Sequence, residues 1–344
     1  ICSVVMKDVS VYAGERLGAY NFGADHPFGP ARLDAFLDRF RETGLDRRCH
    51  LVEPAMSHLV DIERFHTPAY IDRVRRASMT GTGYLDQGDT PAFAGVYEAA
   101  ARVVGTVLAA VADLVSGETR RAFVPIAGLH HARRDAAAGF CVFNDCGVAV
   151  EYLRRTYGFR RVAYVDIDAH HGDGTQDIYW HDPETLFISI HQDGRTLYPG
   201  SGFINEFGGP NAIGTTINVP LPPQTSEDGF LYAIKEVVLP ILQDFKPDII
   251  INSAGQDNHY TDPITNMNFS AQGYAELTAL LKPDIAVLEG GYSIEGALPY
   301  VNVGIVLAMA GLDYSNVKEP DYDPAKIRQS PDVSKSIRQV GDTI

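Results

Sequence analysis

The sequence predicts a three-layer α/β/α domain with a mainly parallel central sheet. Three observations predict it. Six apolar runs rich in β-branched residues recur along the chain, and helical segments separate them. Most of the runs are too continuously apolar for a sheet with one wet face, which is the pattern of parallel strands covered on both sides. Such strands need crossover helices between them, and the alternation supplies these.

In chain order, Leu33, Phe36, Leu37 and Phe40 follow helical spacing, and Gly44 offers a stop. Residues 92–118 are rich in Ala and Val and end at Ser116-Gly117, a second helix. The strands follow at 122–128 (AFVPIAG), 161–168 (RVAYVDID), 185–191 (TLFISIH), Thr216–Leu221 (TINVPL), 248–255 (DIIINSAG) and 284–291 (DIAVLEGG). The helical stretch 230–245 carries Pro240, which should kink or split it. Ser270 can cap a helix that runs to Leu281. Beyond about Lys318 the chain is polar and holds Pro320, Pro324 and Pro331, so 318–344 reads as a peripheral polar tail. The whole of 1–344 reads as one domain, its core at about 12–312.

Bulk properties exclude several classes. A chain of 344 residues that is 45% hydrophobic can bury a large core, so disorder is not expected. No apolar run reaches the length needed to span a bilayer. Ile1-Cys2-Ser3-Val4-Val5-Met6-Lys7-Asp8 is too short an apolar stretch for a signal peptide, and the missing initiator Met reads as a few residues trimmed. The expectation is a soluble, cytoplasmic protein without a membrane partner. Cys2, Cys49, Cys141 and Cys146 form no CxxC pair and read as reduced, mostly buried thiols. With 29 basic against 44 acidic residues the net charge is −15, which repels phosphate backbones and excludes nucleic acid as a direct partner. The same charge suits basic peptides or polyamines, and it serves solubility equally well.

Ligands in such folds bind beyond the carboxyl ends of the strands. The unusual polar residues gather there: His130-His131 after the first run, Asp166, Asp168 and His170 at the second, Asp257 after the fifth, and Glu289-Gly290-Gly291-Tyr292 at the sixth. If strand geometry persists, Asp166, Asp168 and His170 project from one face. Two carboxylates and an imidazole side by side repel or stay undersolvated without a cation, and a divalent metal resolves the conflict. Carboxylate oxygen and imidazole nitrogen are ordinary zinc ligands, and Asp257 is the best candidate for a third. Three protein ligands leave a position for water and a substrate carbonyl. The plainer alternative is loop polarity and capping at a strand end.

The segment 166–174 (DIDAHHGDG) resembles the metal motif of the histone deacetylase family, which includes acetoin-utilisation-type and polyamine deacetylases. Other segments resemble that family in the same order: HPFGPARL from His26, Gly88-Asp89-Thr90-Pro91, His130-His131 followed by GFCVFND from Gly139, Tyr198-Pro199-Gly200-Ser201-Gly202, SAGQD from Ser253 with Asp262-Pro263, and Glu289-Gly290-Gly291-Tyr292. The resemblance runs from about residue 12 to 312. It implies an arginase/deacetylase-like fold and hydrolysis of an N-acetyl amide on a lysine side chain or a related amine. It implies Asp168, His170 and Asp257 as ligands to zinc, with iron(II) as the alternative metal. His131 would be the general base and acid and His130 its electrostatic neighbour, with Asp166 and Asp173 as their carboxylate partners. Tyr292 would donate to the oxyanion. Gly139, Phe140 and Tyr198 would line the acyl-amine tunnel, Tyr198 departing from the family's usual Phe, and Asp89 would grip substrate at the rim. A structural potassium ion would use Asp166, Asp168, Ser189 and backbone carbonyls near His170 and Ile190.

Of the 11 histidines, His50, His58, His66 and His181 read as solvated surface. His171 reads as packing or support for the metal site, His191 as support for the metal loop, and His26 and His259 as neighbours of the pocket rim. Two rivals stay open. A ureohydrolase of related fold uses two manganese ions, but it usually has an Asp where this chain has Gly255. A non-catalytic binder of acetylated amines would not need His131 and Tyr292. Acetylated lysine proteins and acetylated polyamines share the same catalytic kit, so the substrate stays open, as does the oligomeric state.

Overall fold

A computed structural model describes residues 8–320, 322–325 and 327–344. Cys2 and the N-terminal stretch lie outside the described residues. Eight strands form one sheet: β1 (Val9–Tyr12), β2 (His50–Val52), β3 (Arg121–Val124), β4 (Val162–Asp166), β5 (Thr185–Gln192), β6 (Thr216–Leu221), β7 (Ile249–Ser253) and β8 (Ile285–Val287). Their order is β2-β1-β3-β8-β7-β4-β5-β6. Every pairing is parallel, so the sheet is wholly rather than mainly parallel. All residues of β4 and β5 are buried, as strands covered on both faces must be.

Helices Ala31–Glu42, Ala271–Leu281 and Leu298–Met309 pack on one another, and so do Pro68–Thr80, Val96–Ser116 and Asp145–Tyr157. These are the outer layers. Val96–Ser116 corrects one expectation, because its 21 residues are long and apolar enough by composition to cross a bilayer. Here it packs on β1, β3 and two helices as a core element.

The sequence reading missed β1 and β2, which are only four and three residues long. Four strands end earlier than their apolar runs: the chain leaves β3 at Val124, β4 at Asp166, β7 at Ser253 and β8 at Val287, and the residues beyond turn into loops. Near Pro240 the helical stretch is divided into three pieces. Glu227–Tyr232 passes through a π-helical turn, Ala233–Val238, into Leu239–Phe245. The wider turn accommodates a proline that has no N–H to give and whose ring crowds the preceding turn.

The stretch read as a polar tail is tied to the body. The helix Pro331–Gly341 packs against β6 and Glu227–Tyr232, and Ile337 is buried there. The Ser226 N–H donates to the Gln329 side chain at 3.0 Å, and the Glu319 carboxylate is buried beside Ala271.

Candidate active site

The site forms where β3, β8, β7 and β4 end side by side at the middle of the sheet. Asp166 is the last residue of β4, so the alternation argument reaches only this far. The next residues are arranged by side-chain bonds to the backbone instead. Asp166 Oδ1 accepts from the Asp168 N–H at 3.1 Å, and Asp168 Oδ1 accepts from the His170 N–H at 2.8 Å. Two successive bonds of this kind curl the loop and turn Asp168 and His170 inward. Asp166 points to a different partner, Nδ1 of His130, at 2.6 Å.

Asp168, His170 and Asp257 converge. Each offers one ligand atom, and these atoms lie within 4.8 Å of one another. His170 Nδ1 is 3.1 Å from Asp168 Oδ1 and 2.8 Å from Asp257 Oδ2. Backbone donors hold the remaining oxygens, with Gly290 N–H on Asp168 Oδ2 at 2.8 Å and Ala169 N–H on Asp257 Oδ1 at 2.7 Å. A Cβ at Gly255 would overlap the Asp168 carboxylate, and one at Gly290 would overlap the carboxylates of both Asp168 and Asp257. Two buried carboxylates and a buried imidazole around one small space fit a divalent cation, and the oxygen and nitrogen donors fit zinc.

The tandem histidines stand beside this group. His131 Nδ1–H donates to Asp173 Oδ1 at 2.6 Å, and its Nε2 is 3.0 Å from Nε2 of His130. Burial disfavours charge on both rings. Against burial, the Asp166 carboxylate lifts His130 to about 10. His131 is held down at about 4 by burial and by the charge on His130, which outweigh Asp173. Asp173 is shared with Arg133, whose Nη2 donates at 2.6 Å, and its carboxyl lies well below the usual range.

Tyr292 is buried, and its backbone N–H donates to Asp262 Oδ2 at 2.9 Å. No described residue is hydrogen-bonded to its hydroxyl. Its ring meets Phe140 edge to face at 6.0 Å. Phe140 adopts a φ of 69°, unusual for a side chain of this size, and is held there from both sides. Its N–H donates to Thr90 Oγ1 at 3.0 Å, and its carbonyl accepts from the Tyr20 hydroxyl at 2.6 Å. Tyr198, 46% exposed, lies 5.2 Å from the His131 ring. A Cβ at Gly139 would strike the His131 ring, so only glycine leaves the slot open. Asp89 and Asp86 share the rim. Burial and the Asp86 charge lift the Asp89 carboxyl to about 6. His26 borders this mouth, with Nε2 3.2 Å from the Asp89 carbonyl.

Several residues at the site escaped the sequence reading. His66 is buried, not solvated. Its Nε2 accepts from the Asn144 N–H at 2.9 Å and its Nδ1 faces the Arg134 carbonyl, so it props the loop behind His131. Asp145 accepts from the N–H groups of Gly128 and Leu129, each at 2.8 Å, and so fixes the approach to His130. Arg32 is buried and donates to the carbonyls of Gly291 and Glu289. Its place four residues before Phe36 on the apolar helix face was the available signal. His259 is buried against Glu319 and does not line the rim. His171 bonds Ser201 and Gln176, and His191 bonds Ser189 and the Gly202 carbonyl.

Glu289 joins His130 and Asp168 in a second group whose ligand atoms lie within 4.8 Å of one another. Those donors are already engaged. Cys141 Sγ lies 3.1 Å from Glu289 Oε1, and burial together with Asp168 pushes the Glu289 carboxyl well up toward its neutral form.

Set beside known proteins, residues 26–303 match the histone deacetylase domain. A probable deacetylase of Archaeoglobus fulgidus is 42% identical over 308 residues, covering 86% of this chain and 84% of that protein. The acetoin utilization protein AcuC of Bacillus subtilis is 35% identical over 342 residues, covering 95% and 88%. The crystal structure of the HDA15 HD domain matches with a TM-score of 0.86 at 27% identity, covering 98% of this chain and 95% of that one.

Proposed function

The chain belongs to the histone deacetylase family, a family of amide hydrolases, and from that premise we propose that it is a zinc-dependent deacetylase acting on acetylated lysine side chains. The observation that carries this reading is the convergence of Asp168, His170 and Asp257 beside His131. When bound by those three residues, zinc supplies a Lewis acid that polarises an amide carbonyl and acidifies a water.

The remaining chemistry belongs to side chains. Asp173 holds the Nδ1–H of His131, so Nε2 is its basic nitrogen; that lone pair meets His130 Nε2 at 3.0 Å and would take a proton from the attacking water once the water displaces this contact. The same nitrogen then returns a proton to the leaving amine. His130, charged through Asp166, stabilises the negative charge that develops. The Tyr292 hydroxyl donates to the oxyanion. Phe140 and Tyr198 wall the methylene stem, Gly139 leaves room for it, and the Asp89 carboxylate accepts a substrate N–H at the rim. A structural potassium ion would sit with Asp166, Asp168, Ser189 and the carbonyls near His170 and Ile190. The register supports this, since Asp166 and Ser189 are direct partners across β4 and β5.

Acetylated polyamine is the second reading, favoured by the paired carboxylates Asp86 and Asp89 at the mouth. A panel of acetyl-lysine peptides and acetylpolyamines, assayed on the metal-loaded protein, tests both. Peptides should give the higher kcat/KM. A reversed preference would move the assignment to polyamines, and turnover of neither would reject the deacetylase reading.

A further inference from the structure

The segment after the last core helix reaches back to the site. Glu319 lies in it, 60 residues from His259, with its carboxylate buried. His259 Nε2 is hydrogen-bonded to Glu319 Oε1, and its Nδ1 accepts from the Thr261 backbone N–H at 3.3 Å, so the proton sits on Nε2. Nδ1 accepts from the Thr261 hydroxyl at 2.8 Å. With its proton used there, Thr261 Oγ1 accepts from the Ser293 hydroxyl at 2.7 Å. The chain of donors thus runs in one direction, Ser293 to Thr261 to His259 to Glu319, and the carboxylate sets that direction. Its two ends matter. Ser293 follows Tyr292 in sequence, and His259 and Thr261 lie between Asp257 and Asp262, the residue that accepts from the Tyr292 N–H. Glu319 Oε1 also takes the Ala271 N–H at 2.8 Å, which pins the relay to the first turn of Ala271–Leu281.

We infer that Glu319 is a positioning residue for Tyr292, acting through His259, Thr261 and Ser293. The inference rests on the reading of Tyr292 as the oxyanion donor. A hydroxyl that must meet a developing charge within a fraction of an ångström depends on the backbone turn that carries it, and this turn is tied at Tyr292 by Asp262 and at Ser293 by the relay. Cutting the relay leaves the hydroxyl present and loosens its seat.

The test uses Glu319→Ala, Thr261→Val, their combination, and Ile337→Ala as a control that weakens docking of the C-terminal helix away from the relay. Thr261→Val is nearly isosteric and leaves the C-terminal segment untouched. Both relay variants should lower kcat about tenfold with KM within about twofold. Metal content should be unchanged, and hydrogen exchange at the Tyr292 amide should be faster. The double variant should be no slower than the worse single, since the two act in series. Glu319→Gln keeps the accepting oxygen and should restore most of kcat. Ile337→Ala should lower the melting temperature and leave kcat alone. Unchanged kcat in Thr261→Val, effects that multiply in the double variant, or a kcat loss in Ile337→Ala equal to that in Glu319→Ala would each overturn the inference. Full activity in Tyr292→Phe, measured alongside, would instead fault the reading of Tyr292. The tether would then stand or fall on exchange at the Tyr292 amide.

Discussion

Removing one hydroxyl separates holding the metal from doing the chemistry. Tyr292→Phe should keep metal content and KM near wild type and lower kcat by about a hundred- to thousandfold, the usual cost of losing one oxyanion donor. Retained full turnover would remove Tyr292 from the mechanism. Gly290→Ala tests the opposite half. The new methyl group would press on the carboxylates of Asp168 and Asp257, so metal content, read by elemental analysis, should fall together with activity. Asp257→Asn should do the same by weakening a ligand, and full metal occupancy in both variants would refute the ligand set. At this scale the sequence was informative about which residues gather, as with Asp168, His170 and Asp257, which the fold brings together. It was silent where a residue works through burial alone. His66 looks like surface polarity until the packing around it is known, Arg32 is marked only by its place on an apolar helix face, and Glu319 lies far along the chain from its partner His259.

Loops between elements carry the site, and their shape comes from buried polar side chains. His66 is the clearest case, because burial pushes its pKa from 6.5 down to about 3 and keeps the ring neutral in the folded chain. The unfolded chain regains the ordinary value. Stability from this residue is therefore complete above about pH 6.5 and is lost as the pH falls from there toward 3, with a slope approaching about 1.4 kcal/mol per pH unit. Replacing His66 by Gln should flatten the acid side of the stability profile by about one proton, measured by denaturant unfolding between pH 4 and 7. An unaltered slope would show that His66 is charged in the folded state. The β4 loop teaches a related lesson. Strand alternation led to the right neighbours, Asp168 and His170, for a reason that does not apply there. The loop curls through bonds from carboxylates to N–H groups, and spacing alone does not distinguish that path from an extended one.

Across the whole molecule, the parallel sheet was legible because its central strands are buried on both faces and read as unbroken apolar runs. The short strands β1 and β2 were not, since three or four residues carry too little pattern. Strand order was not legible either. Only the fold brings β3, β8, β7 and β4 together, so that residues from four distant segments meet at one edge. That convergence around a single cation is the central claim. The most direct measurement strips the protein with a chelator, then titrates zinc back while following turnover of an acetyl-lysine peptide. The stripped protein should show no turnover, and activity should return linearly and level off at one equivalent per chain. Turnover that survives complete metal removal, or that needs two equivalents, would contradict it.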